Sequence, residues 1–288
     1  MRELGCHVSI AGGYHRAVAR GEKLGCTAIQ IFTRSQLQWS IRPLDREAVE
    51  RWHRARNGST VRGAYAHGSY LINLASPDGR VAELSRSALL EELSRCRALG
   101  IPLLVIHPGF HLGSGQDRGA GRVAASLRRA LRRVPGVWVC LENTAGQGTG
   151  LGFRFEQLGE IIGEAGERVG VCLDTCHAFA AGYDLRDPRG LSAALDGLDR
   201  AAGLHLLKLL HLNDCRGDLG SRVDRHQHIG QGALGREAFR LVLHSGELEG
   251  IPAVIETPKG RGGEEGERMD RENLRLLREL AGEGQCAS

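Results

Sequence analysis

The chain has 288 residues, 41% of them hydrophobic and 25% charged, with a formal net charge of +4. This balance excludes a disordered or low-complexity protein and allows a core of barrel size. No stretch approaches the ~20 apolar residues of a membrane-spanning helix. The opening Met1-Arg2-Glu3-Leu4-Gly5 lacks the charged-then-apolar order of a secretory leader, so a cytoplasmic, reducing location is the default expectation.

Strand-like apolar runs and helical patterns alternate along the chain. Strands are predicted near 3–8, 27–33 and 61–66, with a helix over 45–57 that Asp45 is placed to cap. A helix over 81–99 carries Leu89, Leu93 and Cys96 at helical spacing and stops at Gly100 with Pro102 beyond, the usual order of C-terminal signals. Strand 103–107, helix 119–133, strand 137–142, helix 154–166 and strand 169–174 follow. Helix 190–203, strand 206–211, helix 235–248, strand 252–256 and helix 269–281 complete the series. Continuous apolar strands are strands buried on both faces. Eight of them alternating with helices predict a (β/α)₈ TIM barrel as one domain over 1–288.

Two segments read as loops: the polar, Gly-rich 216–232, and 259–268, which looks like a solvated surface segment. The eight cysteines, Cys6, Cys26, Cys96, Cys140, Cys172, Cys176, Cys215 and Cys286, contain no C-x-x-C pair. They fit buried or free thiols rather than disulfides. Lysine is confined to Lys23, Lys208 and Lys259. The remaining positive charge is Arg, which suits phosphate contacts, although a genome biased toward Arg, Gly and Ala codons is the better explanation.

Six of the apolar runs end on a metal-ligand side chain: His67, His107, Glu142, Asp174, His211 and Glu256. In a barrel all eight strand C-termini face one mouth, so these groups converge. Asp174-x-x-His177 and Asp224-x-His226 add ligands at short spacing, with His228 competing for the place of His226. A single tetrahedral ion takes about four ligands, so this surplus implies two or three ions sharing a carboxylate. Such a cluster points to phosphate-ester hydrolysis. His7 reads as a supporting or structural residue. His15, His53, His111, His205 and His244 read as ordinary, and Cys176 as turned away from its neighbours.

At this point the local motifs carry a resemblance. GCHVSIAGG (5–13), IFTRSQLQW (31–39), AHGSYLINLASP (66–77), VIHPG (105–109), LENTAGQG (141–148), CLDTCHAFAAGYD (172–184), LHLNDC (210–215), GSRVDRHQHIGQG (220–232) and IETP (255–258) resemble the endonuclease IV family, in its order. The resemblance implies a TIM barrel of base-excision repair that cuts double-stranded DNA on the 5′ side of an abasic site, leaves a 3′-hydroxyl and clears blocked 3′ ends. It implies three zinc ions, with manganese or iron possible at some sites. His67, His107 and Glu142 would hold one. Glu142, Asp174, His211 and Glu256 would hold the second, and His177, Asp224 and His226 the third. Glu142 and Glu256 would be the catalytic carboxylates, with a hydroxide between two ions attacking phosphorus in line. Tyr70 and Leu71 match positions that fill the gap in the base stack, and Arg225 is placed on a phosphate. Leu37 stands where the best-known members have Arg, which puts the details of lesion recognition apart from theirs. A monomer is expected. The rival readings are a metal-dependent sugar isomerase or epimerase of the same barrel, and a module that binds damaged DNA without cutting it.

Overall fold

The computed structural model describes residues 2–40, 42–260 and 262–282. Eight parallel strands close into a barrel: β1 (Leu4–His7), β2 (Ala28–Phe32), β3 (Gly63–His67), β4 (Leu103–Ile106), β5 (Trp138–Glu142), β6 (Val169–Asp174), β7 (Leu207–His211) and, counting two short strands described next, β10 (Ala253–Ile255). The short pair β8 (Asp214–Cys215) and β9 (His226–Gln227) is antiparallel and lies above the mouth. The helices are α1 (Tyr14–Lys23), α2 (Arg46–Arg56), α3 (Gly79–Leu99), α4 (Gln116–Arg133), α5 (Phe155–Ala165), α6 (Thr175–Ala181), α7 (Pro188–Ala202), α8 (Gly235–His244) and α9 (Gly263–Leu280).

Strand alternation sorts the side chains. Ile29, Ile31, Ala64, Leu104, Ile106, Val139, Leu141, Val171, Leu173 and Ile255 face outward into the main core beneath the helices. Ala28, Tyr65, Leu103, Val105, Cys140, Cys172, Leu209 and Val254 fill the barrel interior as a second cluster. Residues two apart on a strand share a face. The next inward layer above that cluster is therefore Gln30, His67, His107, Glu142, Asp174, His211 and Glu256. The ligand-type residues are the top layer of the barrel's own filling. At the opposite end the Tyr65 hydroxyl donates to Glu3 Oε2 at 2.7 Å, and Lys208 Nζ lies 4.8 Å from the Trp138 ring centroid. Between β1 and β2 a side chain at Gly5 is impossible, because a Cβ there would stand 1.6 Å from the carbonyl oxygen of Ala28.

The predicted strands agree with the observed ones to within about two residues. Asp45 caps α2, accepting from Glu47 N at 3.3 Å, and Gly100 closes α3 in the left-handed region at φ 65°. Several expectations are corrected. The segment 259–268 is not a loop throughout: α9 begins at Gly263, with Glu264 and Glu265 in its first turn, where acidic residues suit the helix dipole. Lys259 Nζ bonds Asp270 Oδ1 at 2.5 Å and ties this end down. The predicted helix over 235–248 ends at His244, followed by a 3₁₀ turn at Gly246–Leu248. Within 216–232, His226 lies on β9 rather than on loop. Two helices were not expected. One is α1, whose internal Gly21 lets the helix approach β2: a Cβ there would meet Ile29 Cγ2 at 2.5 Å. The other is α6, only 7 residues long. The seven described cysteines are all buried and unbridged, and Cys286 lies outside the described residues.

Candidate metal centre

Glu142 occupies the centre of the mouth, fully buried. Its Oε2 lies 3.1 Å from His67 Nε2 and 3.0 Å from His107 Nε2. Its Oε1 lies 2.9 Å from His211 Nδ1 and 3.3 Å from His177 Nδ1. Glu256 Oε2 stands 3.4 Å from His211 Nδ1, and Asp174 Oδ2 stands 3.9 Å from the same nitrogen and 3.7 Å from His226 Nε2. Asp174 also caps α6, accepting from His177 N at 2.8 Å.

Three donor sets result, each with ligand atoms within 4.8 Å of one another. His67, His107 and Glu142 form the first. Glu142, Asp174, His211 and Glu256 form the second, and Asp174, His177 and His226 the third. Glu142 links the first two and Asp174 the last two. Asp224 flanks the third set, its Oδ1 3.1 Å from His177 Nε2 and 3.5 Å from His226 Nε2. All nine expected ligands thus face one another, and the sharing of Asp174 is a feature the sequence did not suggest.

Hydrogen bonds behind the imidazoles fix their orientation. His67 Nδ1 donates to Gly68 O at 2.8 Å, His177 Nδ1 to Asn143 O at 2.9 Å and His226 Nδ1 to Glu256 O at 3.1 Å. His211 Nε2 donates to Gln30 Oε1 at 2.9 Å. A carbonyl oxygen only accepts, so in each ring the rear nitrogen carries the hydrogen and the other points forward. The forward nitrogens then face carboxylate oxygens, while the His177–Glu142 contact alone runs through the hydrogen-bearing Nδ1, and His226 Nε2 and His177 Nε2 face each other at 3.4 Å. Lone pairs aimed at lone pairs need protons or cations between them. Imidazole and carboxylate donors with rear hydrogen bonds are what divalent metal ions take, and they fit zinc, manganese or iron better than magnesium or calcium.

The electrostatics agree. Burial alone would raise the Glu142 carboxyl, but His211 and His107 outweigh it and hold it well below the usual range. Burial opposes a charge on His211, yet Glu256 and Glu142 push its pKa up to about 9. Burial would raise the Asp224 carboxyl too, but His177 beside it prevails and brings it down to about 2.

Residues missed in the sequence do much of the positioning. Asn213 Nδ2 donates to Asp174 Oδ2 at 2.5 Å, and its Oδ1 accepts from Glu256 N at 2.7 Å. Asn143 Oδ1 accepts from Asp174 N at 2.7 Å. Gln30 Nε2 donates to Glu256 Oε1 at 2.6 Å. A polar residue inside the apolar run of β2 was the available signal for Gln30. His7 supports the site as expected, with Nδ1 3.2 Å from Glu256 Oε1. His228 is turned away onto Asn273 Nδ2 at 3.0 Å, and Cys176 Sγ points to Arg225 O at 3.7 Å.

The exposed large apolar side chains among the described residues are Leu37, Tyr70, Phe110, Leu112, Leu219 and Val223. All lie on loops at this mouth, after β2, β3, β4 and β8. Leu37 is 86% exposed and Tyr70 61% exposed. Leu71 is half-buried beside Tyr70, and Arg225 is exposed between Asp224 and His226.

Comparison with known proteins follows the same line. The xylose isomerase-like TIM barrel family matches residues 18–280. A probable endonuclease 4 of Chloroflexus aurantiacus is 46% identical over 284 residues, covering 97% of this chain and 98% of that protein. One from Oleidesulfovibrio alaskensis is 48% identical over 283 residues, covering 96% and 95%. The crystal structure of endonuclease IV from Thermus thermophilus superposes with a TM-score of 0.85 at 39% identity, over 99% of this chain and 100% of that one. An L-ribulose 3-epimerase, at 17% identity and a TM-score of 0.69, shares the barrel alone. With relatives this similar over nearly its whole length, and with one mouth gathering all nine expected ligand positions, the chain belongs to the endonuclease IV family.

Proposed function

We propose that this protein is a DNA-repair endonuclease that hydrolyses the phosphodiester on the 5′ side of abasic sites in duplex DNA and trims blocked 3′ ends. The observation that carries this reading is Glu142 held among four imidazoles, with further donors on either side. His67, His107 and Glu142 would hold one zinc ion, Glu142, Asp174, His211 and Glu256 a second, and His177, Asp224 and His226 a third. Bound ions supply Lewis-acid polarisation of the phosphoryl oxygens and a water acidic enough to ionise near neutral pH.

The chain's own part is placement. Gln30, Asn143 and Asn213 hold the ligands in one arrangement before substrate arrives, so little reorganisation is left for the reaction. Tyr70 covers the first donor set, its ring centroid 5.7 Å from His67 and 6.2 Å from His107. It stands between the mouth and solvent, where with Leu37 and Leu71 it would fill the gap at a missing base. Wedges of this kind unstack a step most cheaply where the duplex is already damaged. Arg225 would take a backbone phosphate.

A duplex carrying one abasic site tests the reading: chelator-sensitive incision on the 5′ side is expected, and its absence from metal-replete protein would refute it. A sugar epimerase of the same barrel, working with one or two ions, would leave the third donor set without a use. Leu37→Arg adds a cation at a solvent-exposed tip. It should tighten binding to the abasic duplex and steepen the slope of log K against log salt by about 1. An unchanged slope would show that residue 37 does not reach the DNA.

A further inference from the structure

Away from the donor sets, α3 carries a carboxylate with no place in the chemistry. Glu92 is fully buried. One oxygen accepts from the Thr33 hydroxyl at the end of β2, and the other from Ser69 N at 3.2 Å, in the loop after β3. Burial raises its pKa above the ordinary carboxylate range, a cost that these two bonds and the nearby Arg34 only partly offset. A core helix gains nothing from such a group at this position. The two loops it joins are those that carry Leu37 and Tyr70.

The bonds continue beyond Glu92. The Ser69 hydroxyl donates to Gln36 O at 3.0 Å and accepts from Leu71 N at 3.3 Å. Arg34, itself buried, folds the first loop on itself through Gln38 O and through Trp39 O at 2.8 Å. The Tyr14 hydroxyl donates to Thr33 O at 2.6 Å and accepts from Arg95 Nη1 at 3.0 Å. Arg95 also reaches Arg42 O. The loop after β2 is therefore held at Thr33, Gln36, Gln38, Trp39 and Arg42, with the Leu37 side chain exposed at the tip. Ser69, next to Tyr70, is common to both loops.

We infer that Glu92 is a positioning residue that clamps the loops after β2 and β3 into one rigid unit, so that Leu37 and Tyr70 enter the damaged duplex at a fixed separation. The inference rests on the proposed endonuclease activity, and it assigns lesion recognition to a pair of side chains rather than to either alone. Two rigidly spaced wedges lose less freedom on binding than two independent loops, which raises affinity without a new contact.

Incision of an abasic duplex is measured for the wild type, Glu92→Gln and Glu92→Ala, beside hydrolysis of bis(4-nitrophenyl) phosphate, which is too small to span from the donor sets to Leu37. Glu92→Ala loses both bonds, so KM for the duplex should rise about tenfold with kcat nearly unchanged. Glu92→Gln keeps one acceptor oxygen, and the Thr33 hydroxyl can turn to accept from its amide, so most of the loss should be recovered. Activity on the small diester, which can meet Tyr70 but not Leu37, should fall much less than activity on the duplex in both. A Leu37→Ala and Tyr70→Ala double-mutant cycle should show coupling with Glu92 present and additivity in Glu92→Ala. Wild-type KM in Glu92→Ala, or equal losses on duplex and small diester, overturns the clamp. A wild type that fails to incise at all overturns the endonuclease reading instead.

Discussion

Replacing Glu142 by Gln is expected to lower abasic-site incision on the order of 10³-fold while leaving the barrel folded. Supporting residues around metal ligands are commonly worth about 10–100-fold, and a ligand common to two sets should exceed that. Both Glu142 oxygens face imidazole nitrogens at 2.9–3.3 Å. Gln would place an NH₂ donor at one of those positions, where it cannot take a cation, and would remove the negative charge that balances the cluster. The fold should tolerate the change, because it is isosteric and the layer beneath is the apolar cluster of Val105, Cys140, Cys172, Leu209 and Val254. Circular dichroism should match the wild type. Wild-type incision by Glu142→Gln would mean that this carboxylate does not organise the reaction.

The second large effect is a contrast between neighbours. His226→Ala should reduce incision by about 10²–10³-fold, as loss of a ligand, whereas His228→Ala should change it less than about threefold. Both imidazoles lie near Asp224 in the sequence, and the spacing left them as competitors. The backbone separates them: on an extended strand residues two apart share a face only while the strand continues. Strand β9 ends at Gln227. His226 Nε2 therefore turns toward Asp224 and His177, while His228 Nδ1 accepts from Asn273 Nδ2 on α9. Equal losses in the two variants would place the third donor set elsewhere.

Much of this arrangement was legible before the structure. The barrel followed from apolar runs alternating with helical patterns, and the top layer of ligands from the side chain that ended each run. Both depend on short-range periodicity, which sequence displays directly. What was hidden depends on distance along the chain. Asp174 lies in two donor sets at once because α6 starts immediately at the end of β6, and a seven-residue helix gives almost no periodic signal. Asn143 and Asn213 serve ligands on other strands and carry no local mark, and Gln30, whose only mark is its polarity inside an apolar run, serves a ligand 226 positions away. Glu92 sits among other charged residues on a long helix, where nothing local sets it apart, yet its carboxylate is interior because the loops after β2 and β3 close over it. The start of α9 was hidden by glycines, which weigh against a helix locally while its apolar face is buried against β1 and α8.

If this barrel mouth is a multi-ion centre built around Glu142, elemental analysis of the purified protein shows it most directly. Protein loaded with zinc and freed of loosely held metal should retain about three ions per chain, since nine donors exceed what one tetrahedral ion takes. Retention of about one ion per chain would contradict a multi-ion centre and return the protein to the single-ion chemistry of the sugar-converting barrels.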